Sequence, residues 1–345
     1  MKINFALLAA SCLFLFGSLE AEESVYSSAN RKLFWLPQSA GCGYADMAFA
    51  NDAAPNSNPA VLGFQDATSL SLAYSGLPGK SGSASTLTYA STIPKGGSFG
   101  LSLNYLLVSD IELTSALPVD NAGNPIKDDS FLQYGKASEF LFHAAYSHPL
   151  LSNDKVDISA GLSINATRKM LPDTGSNHIA GYGIGADAGV AAQLNPLGLR
   201  LAMMVENITT NQYYWNPNYS EQQNPHVRLG FGWQREVPYL GGAVRLMYTT
   251  PDLLANEGIN RSDSWIGADS SAQARQLTLS KNPELFFMGN IGGEVLFAQR
   301  VAIRVGMEQM NRLAFGAGLL LWQKRLFADV AYLFHDLNGS YAAAL

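Results

Sequence analysis

From about Thr68 onward, apolar residues recur at every second position. Leu70, Leu72 and Tyr74 alternate with Ser69, Ser71 and Ala73; Phe99, Leu101, Leu103 and Tyr105 alternate with Ser98, Gly100, Ser102 and Asn104. The pattern returns in Val156, Ile158, Ala160, Leu162 and Ile164, in Tyr182, Ile184, Ala186, Ala188 and Val190, and in Val227, Leu229, Phe231 and Trp233. A period of two is the period of a β-strand, with one face apolar and the other small, polar or charged. These runs are about nine to eleven residues long, the length a tilted strand needs to cross a bilayer.

The pattern predicts about fourteen strands, near 68–75, 84–92, 98–107, 132–147, 155–167, 179–193, 199–208, 226–235, 242–250, 284–297, 300–308, 312–322, 325–334 and 339–345. The long connections (108–131, 168–178, 209–225 and 251–283) are all odd-numbered. The even-numbered ones are short, at 93–97, 195–198, 236–241, 298–299 and 323–324, with 148–154 intermediate. Long loops on one rim and tight turns on the other are the layout of an outer-membrane barrel. A soluble β-sandwich also alternates but has no reason to sort its loops this way. The fold class expected is all-β: a transmembrane antiparallel β-barrel of about fourteen strands over residues 68–345.

Residues 22–67 do not alternate. They carry Trp35-Leu36-Pro37, Gly41-Cys42-Gly43 and Asn58-Pro59-Ala60, too apolar for a disordered tail. This segment is expected as an N-terminal plug, or hatch, at the mouth of the barrel; a periplasmic arm is the alternative.

Composition agrees with a membrane setting. Hydrophobic residues make up 47% of the 345, and charged residues only 14%, against about 25% in soluble domains. The net charge of −6 comes without a basic block, so a nucleic-acid partner is not expected. Lys2, the apolar run from Phe5 to Gly17 and Ala21 read as a signal peptide over 1–21, which implies export to the outer membrane. Cys12, in Ala-Ala-Ser-Cys, faintly resembles a lipidation site, but the apolar run continues past it. Without Cys12 only Cys42 remains, and one cysteine makes no internal disulfide.

The stretch Gly41-Cys42-Gly43-Tyr44-Ala45-Asp46, leading to Asn58-Pro59-Ala60-Val61-Leu62, resembles the N-terminal hatch of FadL-like and PorV-like outer-membrane proteins. Gly292-Gly293-Glu294-Val295 followed by Arg300-Val301-Ala302-Ile303-Arg304-Val305-Gly306 is similar to a hairpin of PorV/PorQ-type barrels, and Phe327-Ala328-Asp329-Val330-Ala331-Tyr332 to their C-terminal ending. The chain departs from the pattern at Val61, where a glycine is usual, and at Leu345, where an aromatic is common. The FadL side of the resemblance implies binding and passive transport of hydrophobic small molecules such as long-chain fatty acids. The PorV side implies an accessory of a protein secretion system, with secretion proteins as partners.

Several residues are singled out. Asn58, Pro59 and Ala60 are candidates for a hatch or gate; the plain reading is an Asn-Pro turn. Glu294 and Arg304 fall opposite each other if a turn centres on Gln299, and with Asp329 they form a candidate lumen polar group, structural or ligand-contacting. Tyr213, Tyr214, Trp215 and Tyr219 cluster in the 209–225 loop, either to contact a ligand or partner or to pack on one another. Gly181, Gly183, Gly185 and Gly189 line one strand face without the spacing or helix of a nucleotide loop. Gly96-Gly97-Ser98-Phe99-Gly100 matches a nucleophile elbow only literally, because a turn precedes it and a strand follows. The five histidines are scattered, so neither an enzyme, a metal site nor a cofactor is expected. Tyr74, Tyr89, Tyr105, Tyr146, Trp233, Tyr248, Trp322 and Tyr332, toward strand ends, suit interfacial girdles that contact outer-membrane lipid.

Overall fold

A computed structural model describes residues 36–77, 82–94, 96–113, 133–172, 179–208, 211–215, 219–223, 225–254, 286–309, 312–321, 326–334 and 340–344. The signal segment 1–21, Cys12, Trp322, Leu345 and the first part of the 22–67 segment lie outside them.

The inner faces of the strands hold a short N-terminal segment. It begins with helix α1 (Pro37–Gly41), continues through α2 (Ala54–Ser57) and ends in a 3-10 turn (Pro59–Phe64). The strands follow: β1 (Ser69–Gly76), β2 (Gly82–Ile93), β3 (Gly97–Leu113), β4 (Gln133–Ser152), β5 (Val156–Leu171), β6 (Ile179–Leu194), β7 (Leu199–Glu206), β8 (Asn211–Trp215), β9 (Tyr219–Gln223), β10 (His226–Val237), β11 (Gly242–Thr249), β12 (Asn290–Phe297), β13 (Val301–Glu308), β14 (Arg312–Leu321), β15 (Leu326–Leu333) and β16 (Ser340–Ala344).

All pairings among the described residues are antiparallel. Strands β1 to β7 each pair with the next. β7 pairs with β10, and β10 to β16 again pair in succession. β16 pairs with β1, so the order returns to its start. Such a ladder leaves no row of unpaired backbone groups to face lipid. The β8–β9 hairpin stands outside this ring order, joined to β6 through β8.

The side-chain pattern is the reverse of a soluble sheet. Leu70, Leu72 and Tyr74 are 68%, 59% and 51% exposed, while Ser71, Ala73 and Ser75 between them are buried. Leu162, Ile164, Ile184, Ile303 and Val330 likewise point outward. Apolar groups turned outward all round a ladder are stable only against an apolar surround. No helix among the described residues is long and apolar enough to cross a membrane; the crossing elements are strands.

Short turns gather on one rim. β12 and β13 are joined through Ala298 and Gln299, both with positive φ, as a tight hairpin needs. The turns at Asn195–Leu197 and Pro238–Leu240 each end on a glycine in the left-handed region, Gly198 (φ 65°) and Gly241 (φ 59°).

Three readings need correction. The stretch 209–225, expected as a loop, contains β8 and β9. Asn207 takes a positive φ and breaks the strand after β7, and pairing with β6 resumes at Gln212. The strand expected from residue 284 starts at Asn290; Phe286 and Phe287 are apolar but lie in an irregular turn. The connection expected as intermediate at 148–154 is short, because β4 continues to Ser152 and β5 begins at Val156.

Candidate functional site

The inner face of the wall is notched with glycine where the N-terminal segment passes. A Cβ at Gly316 on β14 would lie 2.9 Å from the Cα of Gly41. A Cβ on Gly161 of β5 would lie 2.5 Å from the amide nitrogen of Ala60. Gly306 on β13 and Gly292 on β12 meet Cys42, Gly230 and Gly232 on β10 meet Met47, Ala48 and Phe49, and Gly189 on β6 meets Asn58. The segment turns at Gly43 (φ 62°), where the space is closed by Met307. Its contacts therefore reach inner faces from β3 round to β14, and Cys42, Ala45, Ala48, Ala60, Val61 and Leu62 are buried.

Asn58, Pro59 and Ala60 form one seat. Asn58 is fully buried; its Oδ1 accepts from the Ala60 amide at 3.0 Å and so caps the 3-10 turn that Pro59 begins. Its Nδ2 donates to the Met47 carbonyl at 3.4 Å. The Ala60 carbonyl accepts from Ser147 on β4 at 2.9 Å and from Ser159 on β5 at 2.7 Å. Hydrogen bonds rather than packing alone fix the segment to β4 and β5. Nearby, Asp187 on β6 accepts from Ser163 at 3.0 Å, from Asn165 at 3.3 Å and from the Asn207 amide at 2.8 Å, which holds the chain at the break after β7.

Within the segment, Asp46 accepts from Ser39 and Asn51. Burial pushes its carboxyl above the ordinary value of 3.8, while those hydrogen bonds and the Arg304 charge act the other way.

Glu294, Arg304 and Asp329 belong to a longer line of charges. Glu294 and Arg304 are opposite each other in the β12–β13 register. Arg304 Nε donates to Glu294 Oε2 at 2.6 Å, and Arg304 Nη1 donates to Asp329 on β15. Glu294 Oε1 accepts from Arg245 on β11 at 2.9 Å, and Arg245 Nε donates to Gln234 on β10 at 3.0 Å. At the far end Gln38, in α1, donates to Asp329 Oδ2 at 3.2 Å. The wall from β10 to β15 is thus laced to the first helix of the inner segment by side chains alone. Sequence reasoning found three members and missed Arg245, Gln234 and Gln38. Arg245 was accessible as the lone charge on the alternating β11 strand; the other two carry no signal by spacing.

Tyr213, Tyr214, Trp215 and Tyr219 fall on the β8–β9 hairpin, which places Trp215 opposite Tyr219 in the backbone register. Tyr214 is 55% exposed; the side chains of the other three lie outside the described residues. Of the glycine row on β6, Gly189 carries a contact with the inner segment, whereas Gly181 and Gly183 pair with Trp215 and Tyr213 of β8.

No protein-family profile matches the sequence, and no curated protein matches it. Solved structures do. A TodX deltaS2S3 mutant, described as a monoaromatic hydrocarbon channel, aligns over 90% of this chain and 97% of its own at 10% identity, with a TM-score of 0.52. The P. putida toluene transporter TodX aligns over 90% and 96% at 11% identity, with a TM-score of 0.50. At this identity the likeness establishes a shared fold, and the chain has the fold of these outer-membrane channels.

Proposed function

We propose that this chain is an outer-membrane channel for passive passage of hydrophobic small molecules, and that its inner segment is the plug such molecules must pass. The observation that carries the proposal is the seating of that segment. A separate stretch of chain lies against the inner faces of the strands, held in glycine notches and by a few hydrogen bonds, and the wall outside is apolar. A barrel needed only as a membrane anchor could fill its lumen with its own strand side chains. The fold shared with a toluene transporter supports the same reading.

In this mechanism the rim of long connections faces outward, and the signal segment 1–21 directs export. The aromatic hairpin at Tyr213, Tyr214, Trp215 and Tyr219 first captures an apolar molecule. The molecule then enters the lumen and leaves when the seat around Asn58-Pro59-Ala60 yields. The interactions there are individually modest, each about 1 kcal/mol net for a neutral hydrogen bond, so local release is feasible without unfolding the wall. The test is uptake of laurate and of toluene into vesicles containing the purified protein. Uptake well above that of empty vesicles is expected, and equal rates would remove the proposal.

A further inference from the structure

The outward apolar face of β5 stops at a cation. Ile158, Ala160, Leu162, Ile164 and Ala166 occupy that face in turn, and Arg168 follows them, exposed. From Ile158 to Arg168 the strand rises about 23 Å, for an advance of about 3.3 Å per residue and a tilt of about 45°. The apolar band of a barrel is about 25 Å tall. Arg168 therefore stands at the edge of the band, at the end of the wall away from the short turns. A cation is costly at the bilayer midplane and far less so at its surface.

The neighbours of Arg168 orient it without neutralising it. Tyr182 of β6 and Phe140 of β4 stand opposite it on either side. The guanidinium carbon lies 5.9 Å from the centroid of the Tyr182 ring, and Phe140 packs on Tyr105 of β3 at 4.5 Å. A guanidinium laid over a ring still presents its planar edge to an acceptor. Lys136 shares the outward face of β4 with Phe140, about 13 Å further along that strand. The carboxylates of these three strands, Glu139, Asp157 and Asp187, fall on the opposite face, where Glu139 meets Lys169 at 3.8 Å. Asp110 and Glu112 are exposed at the bulged end of β3, and among the described residues neither forms an ion pair with Arg168 or Lys136.

We propose that Arg168 and Lys136 bind the phosphorylated sugar headgroup of an outer-leaflet lipid, whose acyl chains lie along Leu162, Ile164 and Ile184. The phosphate oxygens complete the guanidinium and ammonium groups, and the rings of Tyr182 and Phe140 sit at the boundary between headgroup and chains. Two cations set apart along neighbouring strands suit a headgroup with a phosphate at either end. The site lies on the outside of the wall; it takes from the proposed function only that this end of the wall faces outward.

The experiment is binding of diphosphorylated lipid A to the purified full chain in neutral detergent, read by native mass spectrometry. Dephosphorylated lipid A and inorganic phosphate are run beside it, for the parent, R168Q, R168K and K136Q. Arg168→Gln is expected to weaken binding of the phosphorylated lipid by about tenfold or more, and Lys136→Gln to weaken it in the same direction. Arg168→Lys should restore part of the loss. The dephosphorylated lipid should bind the parent no better than the phosphorylated lipid binds R168Q. Both side chains are exposed, so the unfolding midpoint in lipid-free detergent should stay as in the parent. Equal binding by the parent and R168Q would overturn the site, and so would equal binding of the two lipids, which marks adsorption by the acyl chains alone. Displacement of the lipid by an equimolar amount of inorganic phosphate would also overturn it, by assigning the cations to a free anion. Failure of vesicle uptake would leave this result standing, because lipid binding is read without transport.

Discussion

Arg304, on β13, bonds Asp329, on β15, across the whole width of the intervening strand. In the register Arg304 stands opposite Gly316 and Asp329 opposite Gly318. A Cβ on Gly318 would lie 3.0 Å from Arg304 Nη1. Two glycines therefore open a window in β14 through which a buried charge pair closes.

Removing the cation should be costly. Arg304 is almost fully buried, and Arg304→Met would leave Glu294 and Asp329 facing each other with less compensation. Loss of one partner from a buried pair costs about 3–5 kcal/mol. The urea midpoint of the protein refolded in vesicles should fall accordingly. Gly318→Leu should act in the same direction by closing the window, without any change of charge. A midpoint unchanged in both variants would show that the line does not stabilise the wall.

The outward face makes a second prediction. Ile164 is 60% exposed in the middle of β5. Arginine at a bilayer-facing position near the midplane costs about 2–4 kcal/mol. Ile164→Arg should lower the vesicle unfolding midpoint by that order, and Ile164→Val should have a much smaller effect. Equal tolerance of both would contradict a lipid-facing position.

Asn58→Ala should loosen one seat without unfolding the wall. It removes the cap on the Pro59–Phe64 turn, a contribution of about 0.5–2 kcal/mol in helices. Hydrogen exchange at the Ala60 amide should accelerate about tenfold or more, while exchange in the centres of β4 and β5 stays as in the parent. Acceleration spread over the strands would mean that the seat and the wall open together.

Asp46 gives the inner segment a pH dependence. Its folded carboxyl binds a proton more tightly than the unfolded one, because burial raises its value above 3.8. The folded state then holds more protons than the unfolded state between 3.8 and the raised value, so stability falls as pH rises through that window. Above it the cost of the buried charge is fully present; below 3.8 it is absent. Asp46→Asn keeps an oxygen for Ser39 and Asn51. It should therefore raise the unfolding midpoint at neutral pH, with a gain that fades toward strong acid. A gain independent of pH would assign the effect to something other than ionisation.

The wall was legible in the sequence because lipid outside and a crowded lumen inside impose a period of two, and the fourteen ring strands fall where that period runs. β8 and β9 escaped because Asn211–Trp215 and Tyr219–Gln223 carry no alternating apolar face. Phe286 and Phe287 misled because apolar residues in an irregular turn resemble the start of a strand. Residues 36–65 were recognisable as not belonging to the wall, yet the notches that receive them, Gly161, Gly189, Gly306 and Gly316, read only as glycines on a polar face. The same limit applies to Arg200, Arg245 and Phe49, whose two guanidinium groups lie 4.9 Å and 5.5 Å from the centroid of the ring. They come from three distant segments, and only the closed order of strands brings two cations to one ring.

The most direct test of the central claim is to lock the inner segment to the wall and measure passage. A Cβ on Gly230 of β10 would lie 3.3 Å from the Cβ of Ala48 and no nearer than 3.1 Å to any other atom, close to the roughly 3.5–4.5 Å of a disulfide. Ala48→Cys with Gly230→Cys, in a Cys42→Ser background, should therefore cross-link on oxidation. Laurate uptake into vesicles carrying this variant should match the parent when reduced, fall toward that of empty vesicles when oxidised, and recover on reduction. Uptake that continues unchanged through the oxidised, cross-linked barrel would contradict passage by movement of this segment.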